Sequence, residues 1–428
     1  MRNSYKYPKD NRFSIDNLLA VSKSFEYSSL LLSNNLKSNK YSSYETILAL
    51  GAKNILKSNR NSFQNLRDFH KLHNDWIFGF LSYDLKNEIE DLTSKNIDEF
   101  NIPNLLFYVP ETILFIQNEN VLIQSIHSKS KIDLFVNSLS NLHVDCEKVD
   151  SIELTSRESK KEYLEKINKI KSHIQNGDIY EMNYCQEFYS LGKDIDPRSV
   201  FLNLNNINKS PFSVYFNFEN NYLLCSSPER FLKKKGIDVV SQPIKGTRRR
   251  GVDKKEDELL SKLLRESKKD ISENVMIVDL VRNDLSRTAK KATVNVEELL
   301  GIYTFETVHQ MITTVTSQLD DQFDFVDLLE TTFPMGSMTG APKIKAMELI
   351  EKFEISKRSL FSSAFGYITP DGDFDFNVVI RSIVYNEINK YISVMSGGAI
   401  TINSDPEEEY EECLLKSHAM IKSLNHEG

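Results

Sequence analysis

The sequence predicts a fold of mixed helices and strands, of the α+β or the α/β class. Short apolar runs rich in β-branched and aromatic residues, separated by polar turns, indicate strands in the first third of the chain. Farther along, apolar residues recur at helical spacing in several charged segments. The two kinds of segment stay mixed up to the C-terminus, so the pattern alone leaves both classes open.

Residues 1–150 are rich in Asn, Ser and Lys and show little recognisable chemistry. The apolar runs at 76–81, 112–116 and 121–127 are predicted to be strands. Polar turns are expected between them.

From about residue 151 the patterns are sharper. Tyr163, Ile167, Ile170 and Ile174 recur at helical spacing and predict a helix that stops at Asn176-Gly177. Further strands are expected at 212–218, 221–226, 363–369, 376–385 and 391–395. A charged segment with spaced leucines covers 255–268. Helices are expected from Ile271 to about Leu285 and over 342–352, and a last helix begins at Asp405-Pro406.

The composition, with 40% apolar and 27% charged residues, is typical of a soluble globular protein. The net charge of -8 is spread along the chain, which argues against nucleic acid or an anionic membrane as the main partner. No stretch reaches the roughly 18 apolar residues of a membrane span, and the N-terminus lacks the apolar region of a signal peptide. A cytoplasmic location is therefore expected.

The four cysteines, Cys146, Cys185, Cys225 and Cys413, lie far apart and form no CxxC pair. Neither a disulfide framework nor a zinc site is indicated. Reduced thiols are predicted.

The segment from Asp405 to Lys416 is predicted to be an acidic helix, with Asp405 as its N-cap and proline in the first turn. At about 100° per residue, Glu409, Glu412 and Lys416 fall on one stripe at the edge of the buried face. Acidic residues near a helix N-terminus and an i,i+4 Glu–Lys pair are common on solvated helices. Carboxylates at the edge of a core can instead bind a hard cation such as Mg²⁺. Both interpretations stay open at this point.

Four further residues have chemistry that depends on their surroundings. Lys245, between Ile244 and a glycine, is either a surface lysine or, if desolvated, an amine nucleophile. Glu229 closes one strand, and Glu273 opens an apolar helix. His309 lies in an apolar run, where an isolated histidine is usually a satisfied core residue.

The segment 336–343, GSMTGAPK, looks like a phosphate-binding loop at first sight. However, Ala-Pro separates its second glycine from the lysine, and Ile344 stands where a P-loop needs Ser or Thr. We predict a tight turn that leads into the helix over 342–352.

Together, and in this order, seven segments resemble the chorismate-utilising enzymes, which include anthranilate synthase component I, aminodeoxychorismate synthase component I, isochorismate synthase and salicylate synthase. They are GDIYEMNYCQEF (177–188), SSPERFL (226–232), PIKGTRRRG (243–251), ENVMIVDLVRNDLSR (273–287), FPMGSMTGAPKIKAMELIE (333–351), FGYITPDGDFDFNVVIRSI (365–383) and SGGAITINSDPEEEYEECLLK (396–416). The segment WIFGFLSYDL (76–85) also resembles the amino-terminal part of these proteins.

The resemblance implies an α+β fold of the anthranilate synthase component I type, in which two large β-sheets pack together and are flanked by helices. It implies that residues 1–150 are the amino-terminal part of this fold and that residues 151–428 are the chorismate-binding catalytic region.

The resemblance also implies a Mg²⁺ site, with Glu273 and Glu412 as ligands and Glu409 acting through water. Hard oxygen donors suit this ion and leave positions for the ring carboxylate of chorismate. The enolpyruvyl carboxylate would be bound by Arg381 and the backbone N–H groups of Gly397 and Gly398, with further positive charge from Lys416. Thr247 would contact the ring, and His309 would line the active site. Glu229 would act as the general acid.

Lys245 distinguishes the members of this group. The tetrapeptide Pro-Ile-Lys-Gly resembles aminodeoxychorismate synthases, whereas the other members usually carry alanine in place of the lysine. The resemblance implies that the lysine amine adds at C2 of chorismate and expels the 4-hydroxyl, and that ammonia then adds at C4 and expels the lysine. Covalent catalysis divides one difficult substitution into two easier steps. The product is 4-amino-4-deoxychorismate, used for p-aminobenzoate and folate synthesis.

Glu181 is the main departure from the group. Isochorismate and salicylate synthases carry a water-activating lysine at the corresponding position, and most amino-transferring members carry glutamine. Water addition is therefore not expected, while the role of Glu181 stays open. Two smaller departures are Gly397-Gly398-Ala399 in place of Gly-Ala-Gly, and Arg249 in place of proline.

No glutaminase signature is evident, because no cysteine lies in a strand–turn–helix nucleophile setting with matching His and Glu. Ammonia is therefore expected from a separate glutamine amidotransferase subunit. The tryptophan-feedback motif of anthranilate synthases is not evident either, since Leu30-Leu31-Leu32-Ser33 lacks its glutamate. This favours the folate branch.

The main hypothesis is an aminodeoxychorismate synthase component I. The alternative is anthranilate synthase component I, which forms anthranilate for tryptophan synthesis. A third hypothesis is a non-catalytic scaffold subunit, against which the retained Glu273, Glu409, Glu412 and Arg381 argue.

Overall fold

The computed structural model describes residues 2–34, 40–142, 151–306 and 308–425. Cys146 lies outside the described residues. Cys185, Cys225 and Cys413 are buried free thiols, as predicted.

The described residues form twenty strands. They are β1 (Asn3–Pro8), β2 (Tyr27–Leu32), β3 (Thr46–Ser58), β4 (Ile77–Leu81), β5 (Leu105–Gln117), β6 (Asn120–Ser125), β7 (Thr155–Ser156), β8 (Glu181–Leu191), β9 (Phe212–Phe218), β10 (Asn221–Ser227), β11 (Arg230–Lys235), β12 (Asp238–Gln242), β13 (Ile244–Arg249), β14 (Asn295–Thr304), β15 (Val308–Gln318), β16 (Gly340–Ala341), β17 (Ala364–Ile368), β18 (Phe374–Val378), β19 (Ser382–Asn386) and β20 (Tyr391–Ile400).

Eleven α-helices accompany these strands in the same residues. They are α1 (Ile15–Ser22), α2 (Ser62–His73), α3 (Lys86–Ile89), α4 (Lys129–Ser138), α5 (Lys160–Gln175), α6 (Pro197–Asn208), α7 (Lys254–Glu266), α8 (Lys268–Ser286), α9 (Phe325–Thr332), α10 (Lys343–Phe353) and α11 (Pro406–Leu424). None of them is long and apolar enough to cross a membrane.

The strands form two large antiparallel sheets, which confirms the α+β class. In the first sheet the order is β8–β20–β19–β10–β9–β2–β3–β5–β6–β1, with β7 and β16 on the free edge of β8. In the second the order is β5–β4–β17–β18–β11–β12–β15, with β13 and β14 also paired to β15.

The two sheets are joined through β3 and β5. The segment Thr46–Leu50 of β3 pairs with β5 in the first sheet, whereas Asn54–Ser58 pairs with the other half of β5 in the second sheet. The pairing shifts register between Ala52 and Asn54, next to Gly51, whose φ is +69°. The two predicted sheets are therefore two halves of one continuous hydrogen-bonded network.

Aromatic side chains fill the space between the sheets. The ring of Phe216, on β9, lies 6.2 Å from that of Phe80 on β4 and 4.9 Å from that of Phe365 on β17. Such tilted and edge-on contacts bury large apolar areas and confirm that the sheets pack face to face.

Helices cover the outer faces of both sheets. Leu18, Ile167, Phe201 and Met420 of α1, α5, α6 and α11 belong to the core on the first sheet. A separate core on the second sheet includes Leu66, Ile277 and Leu329 of α2, α8 and α9. The long helices α8 and α11 therefore each pack one face against a sheet. Their polar edges lie next to a common site.

Most predicted elements are confirmed, but the predicted strand over 376–385 is wrong. The chain forms β18 up to Val378 and β19 from Ser382, with Arg381 at a φ of +53° between them. β18 belongs to the second sheet and β19 to the first, so the chain changes sheets here. The strand predicted at 391–395 also extends farther, to Ile400 in β20.

Candidate active site

The carboxyl-terminal helix α11 directs its acidic edge at strand β20. Asp405 caps the helix by accepting hydrogen bonds from the backbone N–H groups of Glu407 and Glu408, at 3.0 and 3.1 Å. A Cβ atom built on Gly398 of β20 would lie 3.0 Å from Glu409 Oε2 and 3.7 Å from Glu412 Oε1. Glycine at this position therefore leaves room for both carboxylates, and the predicted stripe faces a sheet rather than solvent.

Lys416 and Arg381 add positive charge to the same place. Lys416 Nζ lies 2.7 Å from Glu412 Oε1 and donates to the carbonyl of Gly397 at 2.9 Å. This ammonium group lowers the pKa of Glu412 to about 2. Arg381 donates to the carbonyl of Lys416 at 3.0 Å, and its burial lowers its pKa to about 10.

Helix α8 brings Glu273 towards α11. Lys269, one turn before Glu273, forms an ion pair with Glu409 across the gap, at 2.9 Å. Glu273 is 7% exposed, and burial raises its pKa to about 7 against the opposing effect of Lys245 and Lys269. Its Oε1 atom is buried and has no hydrogen-bond partner among the described residues. Such an orphaned acceptor requires an explanation, such as a bound ion.

Strand β13 packs against the start of α8, and this places Lys245. Gly246 has a φ of +92°, and a Cβ atom there would lie 3.0 Å from Cβ of Asp270 and 3.1 Å from the side chain of Leu264. Arg248 fixes the contact through an ion pair with Asp270 at 3.0 Å. Glycine thus allows the strand to approach α7 and α8 closely.

The charge of Lys245 acts on the pKa of four carboxylates. Its charge lowers the pKa of Glu412 further and opposes the rise that burial causes in the pKa of Glu181, Glu229 and Glu273. Within the described ranges, Lys245 Nζ forms no hydrogen bond or ion pair. Lys245 is half-buried, and its amine has no fixed partner in these ranges, so its role as a nucleophile stays a prediction.

Glu229 lies in the turn between β10 and β11 and is 4% exposed. Burial raises its pKa to about 7, although Ser337 and Lys245 act in the opposite direction. Ser337 Oγ donates a hydrogen bond to Glu229 Oε1 at 2.6 Å. A carboxyl group that holds its proton near neutrality is suited to general acid catalysis.

Glu181, at the first position of β8, is the most buried of these carboxylates. It is 1% exposed, and burial raises its pKa. Its Oε2 atom has no hydrogen-bond partner within the described part of the chain. The charge of Lys245 opposes this rise in pKa, so Glu181 lies near the residues that are predicted to form the site.

His309 and Thr247 lie on neighbouring strands beside the site. His309 is buried, with Nδ1 2.9 Å from Thr304 Oγ1 and Nε2 2.9 Å from Asp257 Oδ1. Both of its ring nitrogens are thus engaged by residues outside the predicted site, as in a satisfied core histidine. Thr247 pairs with Gln310 across β13 and β15. The lining roles of His309 and Thr247 stay predictions.

Sequence reasoning missed two residues of the site, Lys269 and Ser337. Lys269 precedes Glu273 by four residues, so helical periodicity places both on one face. Ser337 lies in the segment 336–343, which was predicted to be only a tight turn. That segment does lead into α10, but its hydroxyl also reaches Glu229.

The donor set fits a hard cation. Glu273, Glu409 and Glu412 offer carboxylate oxygens, and the orphaned Oε1 of Glu273 lacks a protein partner. In this structure Glu409 and Glu412 are paired with lysines, and no cluster of three or more His, Cys, Asp or Glu side chains in the described ranges is arranged as a metal site. The Mg²⁺ site therefore stays a proposal.

Comparison with known proteins identifies the family. A family model described as chorismate binding enzyme matches residues 27–422. The chain belongs to this family. The predicted resemblance is thereby confirmed.

Several named proteins are similar in sequence to this chain. Aminodeoxychorismate synthase component 1 of Bacillus subtilis (strain 168) is 32% identical over 364 residues, covering 81% of this chain and 76% of that protein. The protein of the same name from Escherichia coli (strain K12) is 38% identical over 269 residues, covering 63% of this chain and 59% of that protein. Anthranilate synthase component 1 of Acetivibrio thermocellus is 30% identical over 378 residues, covering 83% and 76%.

A solved structure confirms the fold. The crystal structure of anthranilate synthase component I from Streptococcus pneumoniae TIGR4 superimposes with a TM-score of 0.77 and covers 90% of this chain and 95% of that chain. At 23% sequence identity this likeness concerns the fold alone. The anthranilate synthase-like architecture expected from the sequence is correct.

Proposed function

We propose that this chorismate-binding enzyme converts chorismate and ammonia to 4-amino-4-deoxychorismate, as component 1 of an aminodeoxychorismate synthase. The observation that carries the proposal is Lys245, whose charge acts on the pKa of four carboxylates and whose amine has no bonded partner in the described residues. The names of the Bacillus subtilis and Escherichia coli relatives support the same activity. The product would serve p-aminobenzoate and folate synthesis.

The first proposed step is attack by Nζ of Lys245, for which the ammonium group must first give up a proton. The Nζ–C2 bond forms, the two ring double bonds shift, and the C4–O bond breaks. Glu229 gives its proton to the departing oxygen, which leaves as water. Its pKa of about 7 means that a large fraction of the side chain holds this proton near neutral pH.

The second proposed step is attack by ammonia at C4. The N–C4 bond forms, the double bonds shift back, and the Nζ–C2 bond breaks, which frees Lys245. The carboxylate of Glu229 accepts the proton that the added ammonia loses. Covalent catalysis thus moves the amino group to C4 without direct displacement of hydroxide.

Substrate orientation is proposed to depend on the charged groups around β20. Arg381 and the backbone N–H groups of Gly397 and Gly398 would hold the enolpyruvyl carboxylate, with Lys416 close by. Thr247 and His309 would line the ring. Glu273 and Glu412, with Glu409 acting through water, would hold Mg²⁺, which would supply positive charge beside the ring carboxylate.

Ammonia is proposed to come from a glutamine amidotransferase subunit. The sequence carries no glutaminase signature of its own. The name component 1 of the relatives is consistent with a second component.

A second candidate is anthranilate synthase component 1, which the Acetivibrio thermocellus relative favours. It requires the amino group at C2 rather than C4. Lys245 argues against it, because in the proposed reaction the lysine amine, and not ammonia, attacks C2. The scaffold hypothesis is disfavoured because Glu273, Glu409, Glu412 and Arg381 are present and their elements converge.

The test is product analysis after incubation with chorismate, MgCl₂ and ammonium chloride. We expect 4-amino-4-deoxychorismate from the wild type, and loss of activity or a turn towards anthranilate from Lys245→Ala. Lys262→Ala is the matched control, because Lys262 is an exposed lysine on α7. Formation of anthranilate alone by the wild type would refute the proposal, and full activity of Lys245→Ala would refute the nucleophile.

A further inference from the structure

We propose that Ser337 is the positioning residue of Glu229, an inference that rests on the acid role of Glu229 in the proposed function. The two side chains are buried, at 5% and 4% exposure, and are joined by the 2.6 Å hydrogen bond from Ser337 Oγ to Glu229 Oε1. An oxygen that accepts this bond is the acceptor oxygen of the carboxyl group, so the acid proton resides on Oε2. The hydroxyl thereby selects the oxygen that delivers the proton.

The surroundings of this contact favour a strong hydrogen bond. Glu229 and Ser337 line a pocket whose other walls combine apolar side chains, such as Leu232 and Val281, with polar ones, such as Arg230. Both side chains are buried, and a hydrogen bond between buried groups is electrostatically stronger than one in water. Ser337 opposes the rise in the pKa of Glu229 that burial causes, so it also stabilises the carboxylate left after proton transfer.

The chain that follows Ser337 is fixed by two cations. The buried Arg358 donates to the carbonyl of Met338 at 2.6 Å. Farther along, the half-buried Lys343 forms a 2.6 Å ion pair with Asp284 of α8. Anchoring of the chain next to Ser337 restricts the orientation of its hydroxyl, as precise positioning of a catalytic group requires. This gives the segment 336–343, which looked like a phosphate loop, a role in catalysis.

Removal of the hydroxyl is expected to affect the chemical step. In Ser337→Ala, kcat for formation of 4-amino-4-deoxychorismate from chorismate, MgCl₂ and ammonium chloride should fall about 10- to 100-fold. The KM for chorismate should change little, because Ser337 does not contact the proposed substrate-binding groups. The alkaline limb of the kcat profile should move to higher pH, because the carboxylate of Glu229 loses a donor. Ser337→Thr, which keeps the hydroxyl, should restore most of the rate.

Two controls separate positioning from a structural role. Ser241 lines the same pocket, but its hydroxyl donates to the carbonyl of Phe231 at 2.8 Å, so Ser241→Ala should keep the wild-type kcat and pH profile. In a Glu229→Gln background, Ser337→Ala should cause no further loss, because its effect acts through the acid. Ser337→Thr and Ser337→Val, which differ mainly in the hydroxyl, repeat the test if Ser337→Ala does not fold.

The outcomes are distinguishable. A wild-type rate and pH profile in Ser337→Ala, or an equal loss in the presence and absence of Glu229, overturns the positioning role. Full activity of Glu229→Gln instead overturns the acid role and with it that part of the proposed function. A loss in Ser337→Ala that disappears in the Glu229→Gln background supports the inference.

Discussion

The proton of Glu229 links folding to pH. Burial raises the pKa of this carboxyl group from 4.5 to about 7, so the folded state binds the proton more tightly than the unfolded state does. The stabilising contribution of the protonated group is present below pH 4.5 and is lost as the pH rises through about 7. A shift of this size corresponds to about 3.5 kcal/mol, at about 1.4 kcal/mol per pKa unit.

We predict that Glu229→Gln becomes more stable relative to the wild type as the pH rises. The neutral amide has nearly the same shape but no proton to lose. Denaturant unfolding of both proteins between pH 5 and 8 measures the difference, in which the titration of all other groups largely cancels. A constant difference in the free energy of unfolding across this range would show that Glu229 does not titrate in it.

Single residues of the site were predictable only where a resemblance supplied their roles. The resemblance predicted Glu229, Glu273 and Glu412, and the structure brings their elements together. Ser337 was missed because its contact with Glu229 spans more than 100 residues and depends on how a loop folds. Periodicity and spacing carry no information on such a contact.

Gly246 shows how one element positions another. Its φ of +92° is unfavourable for residues with a side chain, and a Cβ atom would lie 3.0 Å from Asp270 at the start of α8. We predict that Gly246→Ala lowers the free energy of unfolding by about 1–3 kcal/mol through backbone strain. It should also push β13 away from α8 and lower kcat, because Lys245 precedes it.

The matched control for this prediction is Gly236→Ala. Gly236 has a φ of +61°, but a Cβ atom there would meet nothing within 4 Å. The control should show the cost of backbone strain in denaturant unfolding and keep the wild-type kcat. Equal kcat values for the two variants would mean that the close approach of β13 to α8 does not position Lys245.

Boundaries of elements were predictable where the chain itself marks them. The strands at 212–218 and 221–226 and the start of α11 at Asp405-Pro406 follow local turn and capping signals. The break between Val378 and Ser382 has no such signal, since the run from 376 to 385 contains neither glycine nor proline. The chain divides there because the two halves pair in different sheets, which is a long-range property.

The arrangement of the whole molecule follows from pairings between distant strands. β2 pairs with β9 and β4 with β17, so strands from residues 1–150 lie within the same sheets as strands from residues 151–428. The register shift between Ala52 and Asn54, where β3 and β5 pass from one sheet to the other, also arises from pairing between strands that are distant in the sequence. Local patterns predicted individual strands and a mixed fold but left the α+β and α/β classes open, whereas the resemblance predicted that two large sheets pack together.

At this scale the site is a collection of charges brought together by separate elements. Glu273 comes from α8, Glu409 and Glu412 from α11, and Glu181 from β8. Several buried carboxylates repel a dianionic substrate, and a divalent cation bound among them offsets that repulsion. Binding of chorismate should therefore depend on Mg²⁺.

We predict that chorismate and MgCl₂ together raise the melting temperature by more than the sum of their separate effects. A ligand at about 100 times its Kd stabilises the folded state by about 2.7 kcal/mol, which is enough for a measurable shift. Thermal melts without ammonium measure this, with chorismate alone, MgCl₂ alone, both, and both with excess EDTA. Glu273→Gln, with a similar shape and a weaker metal ligand, should lose the Mg²⁺-dependent part. An equal shift by chorismate in EDTA would contradict the Mg²⁺ requirement, and no shift under any condition would favour the scaffold hypothesis.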